Sequence, residues 1–127
     1  MRRSDQRRAA AVALYQEDVT GRAAPDLLEP SATQFTRELV DGVEAEREAL
    51  DGLIERHSEG WALDRIAPLE RNILRVALYE LLHRPDVPAE VAIDEAVEAA
   101  KELCGTDAPG FVNGILGAAV GEPGAVD

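Results

Sequence analysis

The chain has 127 residues, of which 46% are hydrophobic, enough apolar material for one domain with a buried core. Two Tyr, two Phe and one Trp are its only aromatic residues, so Leu, Val, Ile and Ala must form most of the core, a composition that favours helices. The single cysteine excludes an internal disulfide and a multi-cysteine zinc site. No apolar run reaches the roughly 20 residues that a membrane-spanning helix needs. We therefore expect a cytoplasmic protein without a membrane segment.

The formal net charge is −12, which by itself argues against nucleic-acid binding because phosphates repel an acidic surface. The charge is distributed unevenly, since residues 1–8 contain four arginines and one acid, Asp5, a net charge of +3. The four arginines are Arg2, Arg3, Arg7 and Arg8. Arg3 and Arg7 lie one helical turn apart and would present an exposed cationic ridge to phosphates. The alternative is that these arginines only solubilise a flexible end.

The first predicted elements are two amphipathic segments. A helix is expected over residues 4–20, with Ser4 as its N-cap and a loop or short turn after it. A capping-box pattern at residues 31–34 predicts the start of the second segment, which Gly60 closes. Apolar residues recur in it close to a 3.6-residue period. It is either one long helix or two helices with a break near residues 42–45.

Three further helices are predicted in the second half of the chain. After a short helical turn in residues 61–67, a helix over residues 68–83 has so broad an apolar face that we expect it to be central and most buried. Pro88 opens the next helix, which Gly105 caps. A last helix covers residues 109–120. The prediction is an all-α fold of six to seven helices in two three-helix bundles, a single helical domain of residues 1–120 with a disordered tail of residues 121–127.

Three glycines, Gly110, Gly114 and Gly117, recur on roughly one side of the last predicted helix. Each costs about 1 kcal/mol relative to Ala in a helix interior. Such a pattern indicates either a close approach of another helix or of RNA, or only a short helix stabilised by its neighbours. Both interpretations stay open.

The sequence lacks the residue patterns of an enzyme. His57 and His83 fall near predicted helix C-termini, where a partly positive imidazole is favourable, and Cys104 has no signature of an activated nucleophile. The carboxylates lie along outer helix faces, as expected of solvated surface, and no phosphate-binding glycine loop is present. We therefore predict no catalytic residue, no metal site and no cofactor.

Four segments resemble the NusB family, in order and over nearly the whole chain. Residues 7–16 (RRAAAVALYQ) resemble the family's opening helix, and residues 69–81 (LERNILRVALYEL) resemble its central helix. Residues 86–97 are similar to the segment that follows, and residues 101–116, which include FVNGIL, are similar to the closing signature. The resemblance implies a seven-helix fold of two three-helix bundles.

The resemblance also implies a function, which is transcription antitermination by binding the box A element of ribosomal RNA operon transcripts. The implied partners are NusE, a small-subunit ribosomal protein, and the RNA polymerase antitermination complex. The expected RNA-binding residues are Arg2, Arg3, Arg7, Arg8, Asp107 and Phe111. The expected partner-binding residues are Tyr15, Asp64 and Glu70. An acidic partner face is physically sensible because ribosomal proteins are usually basic.

Two alternatives remain at the level of sequence. One is an RNA-binding domain related to the NusB-like part of a ribosomal RNA methyltransferase, without catalysis by this chain. The other is a non-catalytic helical protein-binding module or homodimer with reduced RNA binding. Ser4 and Asp5 occupy positions that are often basic in the family, so we expect weak RNA binding without a basic partner.

Overall fold

The computed structural model describes residues 2–121, and every regular element in that range is helical. The α-helices are α1 (Arg3–Thr20), α2 (Ala24–Leu27), α3 (Gln34–His57), α4 (Pro68–His83), α5 (Ala89–Leu103) and α6 (Ala108–Val120). One 3-10 turn, Leu63–Arg65, lies between α3 and α4. The all-α prediction with six to seven helices is confirmed. Residues 122–127 of the predicted tail lie outside the described residues.

Helix α4 occupies the centre of the fold, as predicted, and has the predicted bounds. It packs against α1 and α3 on one side and against α5 and α6 on the other, so that two three-helix bundles share it. All residues from 72 to 78 are buried, because neighbours cover α4 on both sides. Contacts of Arg7 with Glu80 and of Asp18 with Asn72 show that α1 runs antiparallel to α4.

Two predicted helix starts are wrong by one to three residues. Helix α1 begins at Arg3, and Ser4 does not cap it, because the Ser4 hydroxyl donates to Glu95 on α5 at 3.0 Å. Helix α3 begins after Thr33, whose hydroxyl accepts the backbone N–H of Thr36 at 3.2 Å. Several Ser and Thr residues stand near this start, and spacing alone did not show which one caps the helix.

Helix α3 is continuous, so the break considered near residues 42–45 is absent. Gly42 lies inside the helix where α3 meets the Tyr79 ring of α4. A Cβ at this position would lie 2.2 Å from Tyr79 Cε1 and Cζ. The glycine therefore provides room for an aromatic ring and does not end the helix.

The remaining helix ends agree with the predictions more closely. His57 and His83 are the last residues of α3 and α4, as expected. Helix α5 ends one residue earlier than predicted, since Cys104 occupies the C-cap in an extended conformation and Gly105 has no capping role. None of the helices in residues 2–121 is both long and apolar enough to cross a membrane.

A polar network around Asp18, which the sequence did not predict, joins α1, α3 and α4. The carboxylate accepts hydrogen bonds from Asn72 at 2.8 Å and from Arg75 at 2.9 Å, and Arg75 also donates to Asp51 at 2.7 Å. Burial raises the pKa of Asp18, but the hydrogen bond from Asn72 and the charge of Arg75 outweigh it and lower the pKa overall. The network fixes the position of α1 relative to α3 and α4.

Candidate nucleic-acid and partner interface

The arginines at the start of α1 gather around one aromatic ring, that of Phe35 in the first turn of α3. The Arg3 guanidinium lies 4.1 Å from the ring centroid, and those of Arg7 and Arg84 lie 5.4 Å and 5.2 Å from it. Cations at such distances from an aromatic face are stabilised by it. Arg84, at the end of α4, is a member of this group that sequence reasoning missed, because it lies 77 positions after Arg7 in the chain.

Arg2, Arg3 and Arg8 at this end are each paired with a carboxylate. Arg2 lies 3.6 Å from Asp5, and the Arg2 side chain is 81% exposed. Arg8 lies 3.0 Å from Glu102 of α5. Arg3 lies 3.9 Å from Asp86 and has a half-exposed side chain. The positive charge predicted from the sequence is therefore present at this surface but is largely balanced by neighbouring acids.

The expectation that Arg7 is exposed is wrong. Its guanidinium donates two hydrogen bonds to Glu80 of α4, at 2.7 Å and 2.9 Å, and lies 3.7 Å from Glu95 of α5. Only 11% of the Arg7 side chain is exposed. Arg7 therefore lies on the same side of α1 as Arg3, as its spacing predicted, but points into the protein and joins α1 to α4 and α5.

A second candidate surface is a groove of about 310 Å³ beside the first turn of α4. Phe111 and Asp107, both predicted RNA-binding residues, line it together with Glu70, a predicted partner-binding residue. Phe111 is half-buried, so it is neither fully exposed nor a core residue. Burial, and to a smaller extent the charge of Asp107, raise the pKa of Glu70.

The predicted RNA-binding residues thus fall into two clusters at opposite ends of α4. In the arginine cluster, Arg7 binds Glu80 near the end of α4. Phe111 and Asp107 line the groove with Glu70, which lies ten residues before Glu80, or about 15 Å along the helix. The remaining predicted partner residues are Tyr15, which is half-buried on α1, and Asp64, which is exposed in the 3-10 turn.

The glycines of α6 leave one face of this helix open. Gly110, Gly114 and Gly117 are exposed, and a Cβ placed on any of them meets no atom within 4 Å. The interpretation that a neighbouring helix of this chain approaches them closely is therefore wrong. Their open face continues into a second groove of about 360 Å³, which Trp61 and Phe111 also line.

Two further residues of this surface were missed at the level of sequence. Trp61 and Arg65 line the same groove as Phe111, although they come from the connection between α3 and α4. The available signal was that Trp61 is the only tryptophan of the chain and stands in a predicted turn rather than on an apolar helix face. Only the folded chain shows that this turn lies against α6.

The described part of the chain is a helical binding domain with two candidate surfaces, one rich in arginine and one that combines aromatic and carboxylate side chains. Residues 2–121 contain no group of His, Cys, Asp or Glu side chains arranged to hold a metal ion.

Comparison with known proteins identifies the family. The sequence matches the NusB family over residues 4–120. It is 42% identical to the transcription antitermination protein NusB of Myxococcus xanthus, covering 87% of this chain and 88% of that protein. It is 46% identical to the transcription antitermination protein NusB of Rubrobacter xylanophilus, covering 91% of this chain and 88% of that protein. The chain belongs to the NusB family, and the prediction of a transcription factor rather than an enzyme is confirmed.

The fold is similar to solved structures of the same family. Superposition on T. maritima NusB gives a TM-score of 0.86 at 34% identity and covers 96% of this chain and 92% of that chain. A crystal structure of the antitermination factors NusB and NusE in complex with dsRNA contains a chain that matches with a TM-score of 0.82 at 27% identity. That match covers 94% of this chain and 96% of the other.

Proposed function

We propose that the protein is a transcription antitermination factor that binds box A RNA of ribosomal RNA operon transcripts together with NusE. It acts in the cytoplasm and promotes read-through by RNA polymerase as part of an antitermination complex. The observation that carries the proposal is the match, over 94% of the chain, to a structure of NusB and NusE in complex with dsRNA.

The RNA-binding side of the proposal rests on the two clusters at the ends of α4. Arg2 and Arg3 are exposed at the start of α1 and have guanidinium groups that suit phosphate oxygens. Arg7 and Arg8 hold this end of α1 in place through their ion pairs, so any contact that they make with RNA competes with those pairs. At the other cluster, Phe111 offers an aromatic surface to an unpaired base, with Asp107 beside it.

The partner-binding side is acidic. Asp64 and Glu70 add negative charge to a chain whose net charge is −12, and Tyr15 contributes a half-buried aromatic ring on α1. A basic ribosomal protein is attracted to such a surface, and the opposite charges speed encounter and select the partner. The bound partner would also supply positive charge that the RNA-binding surface of this chain lacks.

An alternative is a protein-binding module or homodimer with reduced RNA binding. The specific observation in its favour is that carboxylates balance most arginines at the start of α1, since Arg2, Arg7 and Arg8 each lie beside one. Sedimentation velocity at several protein concentrations measures the homodimer part of this alternative. A sedimentation coefficient that stays at the value of a monomer at every concentration excludes self-association in that range.

The experiment that tests the proposal is fluorescence anisotropy of a labelled box A-like RNA titrated with the protein, with and without purified NusE. A scrambled RNA and two salt concentrations are the controls. We expect binding that prefers box A, strengthens when NusE is present and weakens at higher salt. Equal affinity for the scrambled RNA would contradict the proposal. Intact NusE association without any RNA binding would support the protein-binding alternative.

A further inference from the structure

Arg8 on α1 forms an ion pair with Glu102, which lies near the end of α5. Arg8 Nη2 is 3.0 Å from Glu102 Oε2. Only 17% of the Arg8 side chain is exposed, whereas the Glu102 side chain is 62% exposed. The two residues are 94 positions apart in the chain, so the pair forms only in the folded protein. It joins a guanidinium that the fold largely encloses to a carboxylate that stands in solvent.

The Arg8 guanidinium uses only part of its hydrogen-bonding capacity. Its Nε is buried and has no hydrogen-bond partner among residues 2–121. Arg7, the preceding residue, instead donates from both Nε and Nη2 to the two carboxylate oxygens of Glu80. A guanidinium with a free donor gains from an anion that offers further acceptor oxygens, as a phosphate group does.

Release of the carboxylate has very different consequences at Arg7 and at Arg8. Glu80 is 1% exposed, so an RNA phosphate that took Arg7 would leave a buried charge without compensation. Glu102 remains solvated when it loses Arg8, and an exposed ion pair of this kind contributes little to stability. A phosphate can therefore replace Glu102 at Arg8 far more easily than it can replace Glu80 at Arg7.

Glu102 also opposes the approach of RNA while it stays in place. A phosphate that comes near Arg8 meets the negative charge of the carboxylate that already contacts it, and like charges at such short distances repel. The contact is closer than those made by the other acids paired with exposed arginines, since Asp5 and Asp86 lie 3.6 Å and 3.9 Å from theirs. Of these three acids, Glu102 therefore competes most directly with a phosphate.

We infer that Glu102 is an internal competitor of RNA for Arg8, which it occupies in the free protein and releases when an RNA phosphate takes its place. The contact is autoinhibitory, because part of the binding free energy of RNA is used to displace the carboxylate. The inference rests on the proposed RNA-binding function and adds to it a residue outside the RNA contacts that limits affinity.

Anisotropy titrations of labelled box A-like RNA in the presence of NusE test the inference directly. Glu102→Gln should bind the RNA roughly 2- to 5-fold more tightly than the wild-type protein, the range that corresponds to an exposed ion pair. The log–log salt dependence should steepen by up to about 0.7, because Arg8 then neutralises a phosphate without releasing a carboxylate. Glu98→Gln is the matched control, because Glu98 is exposed one turn earlier on α5 and lies outside the ion pair.

A double-mutant cycle shows whether Glu102 acts through Arg8. In an Arg8→Gln background, Glu102→Gln should change RNA affinity no more than Glu98→Gln does. An affinity gain of undiminished size in that background would overturn the inference. Calorimetric titration of NusE without RNA serves as a further check, since Glu102→Gln should leave NusE affinity unchanged. If the tighter RNA binding came from tighter NusE binding, the inference would also be overturned.

The remaining outcomes separate this inference from the proposed function. If Glu102→Gln and Glu98→Gln bind RNA equally well while the wild-type protein binds box A with NusE, the inference fails and the proposed function survives. If Glu102→Gln binds RNA more weakly than the wild-type protein, Glu102 positions Arg8 for RNA and the inference fails. If neither the wild-type protein nor Glu102→Gln binds RNA with NusE present, both fail. Circular dichroism checks that each variant is folded.

Discussion

Arg7 and Glu80 form a two-point ion pair that joins the start of α1 to the end of the central helix. The Arg7 Nε lies 2.7 Å from Glu80 Oε1, and Nη2 lies 2.9 Å from Oε2. The Glu80 side chain is only 1% exposed, so its charge depends on Arg7 for compensation. Removal of one partner from such a pair leaves an uncompensated buried charge.

We predict that Arg7→Ala lowers the free energy of unfolding by about 3–5 kcal/mol, because Glu80 is left buried without its partner. Urea denaturation measures this change. Arg2→Ala is the control and should change stability by less than about 1 kcal/mol, since its ion pair with Asp5 is exposed. Equal stability of the two variants would show that the Arg7–Glu80 pair does not stabilise the fold.

Arg3 is the better position at which to test RNA contact, because its side chain is half-exposed. We predict that Arg3→Ala weakens binding of box A-like RNA in the presence of NusE and flattens the salt dependence by roughly 0.7 in the log–log slope, as expected when one phosphate contact to a single strand is lost. Anisotropy titrations at several salt concentrations measure both effects. Arg22→Ala, at an exposed position after α1, should leave affinity and slope unchanged. If the two variants behave alike, the RNA does not contact Arg3.

Gly42 and Gly52 allow a matched comparison within α3. Gly42→Ala should destabilise the protein by about 1–3 kcal/mol, because the new Cβ would lie 2.2 Å from atoms of the Tyr79 ring and force that ring to move. Gly52→Ala should stabilise it by up to about 1 kcal/mol, because the nearest atom that the new Cβ would meet is Arg56 Nη1 at 3.9 Å and alanine favours the helix. Thermal unfolding of both variants distinguishes these opposite signs. Destabilisation by both substitutions would contradict the role assigned to the Tyr79 ring.

Glu44 makes stability depend on pH near neutrality. Burial and a hydrogen bond with Glu17 raise the pKa of Glu44 from 4.5 to about 7, although the charge of Arg47 opposes this. Between these two values the folded protein keeps a proton that the unfolded chain has lost. The stability that protonated Glu44 contributes to the folded protein is therefore complete below about pH 4.5 and is lost as pH rises through about 7.

We accordingly predict that the free energy of unfolding of Glu44→Gln, measured relative to that of the wild-type protein, is higher at about pH 8 than at about pH 5. The glutamine side chain is neutral at both pH values, whereas Glu44 loses its proton between them. Urea denaturation at the two pH values measures the difference. Glu48→Gln, at an exposed position of the same helix, is the control and should show no such change. A Glu44→Gln effect of the same size at both pH values would disprove the raised pKa.

The fold was predictable where local patterns agree with one another. The bounds of α4 follow from Pro68 at its first turn and a broad apolar face, and both signals act within a few residues. The start of α3 was less certain, because Ser31 and Thr33 both have the side chain of an N-cap and only the folded backbone selects Thr33. The role of Gly42 was ambiguous for a related reason. In the sequence, a glycine that breaks a helix cannot be distinguished from one that makes room for a neighbouring side chain, and only the fold shows the Tyr79 ring against Gly42.

The sequence by itself determined the helical composition, the central helix and the family. Periodicity and motif strings involve residues that are close together in the sequence, so they can be read without the fold. Only the tertiary structure decided what each charged and aromatic residue does. Arg7 and Glu80 are 73 positions apart, so no spacing rule could show that an apparent phosphate ligand is a buried ion-pair partner. Trp61 and Phe111 likewise line one groove only because α6 packs beside the turn after α3. Pairing and burial depend on long-range contacts, and these exist only once the chain has folded.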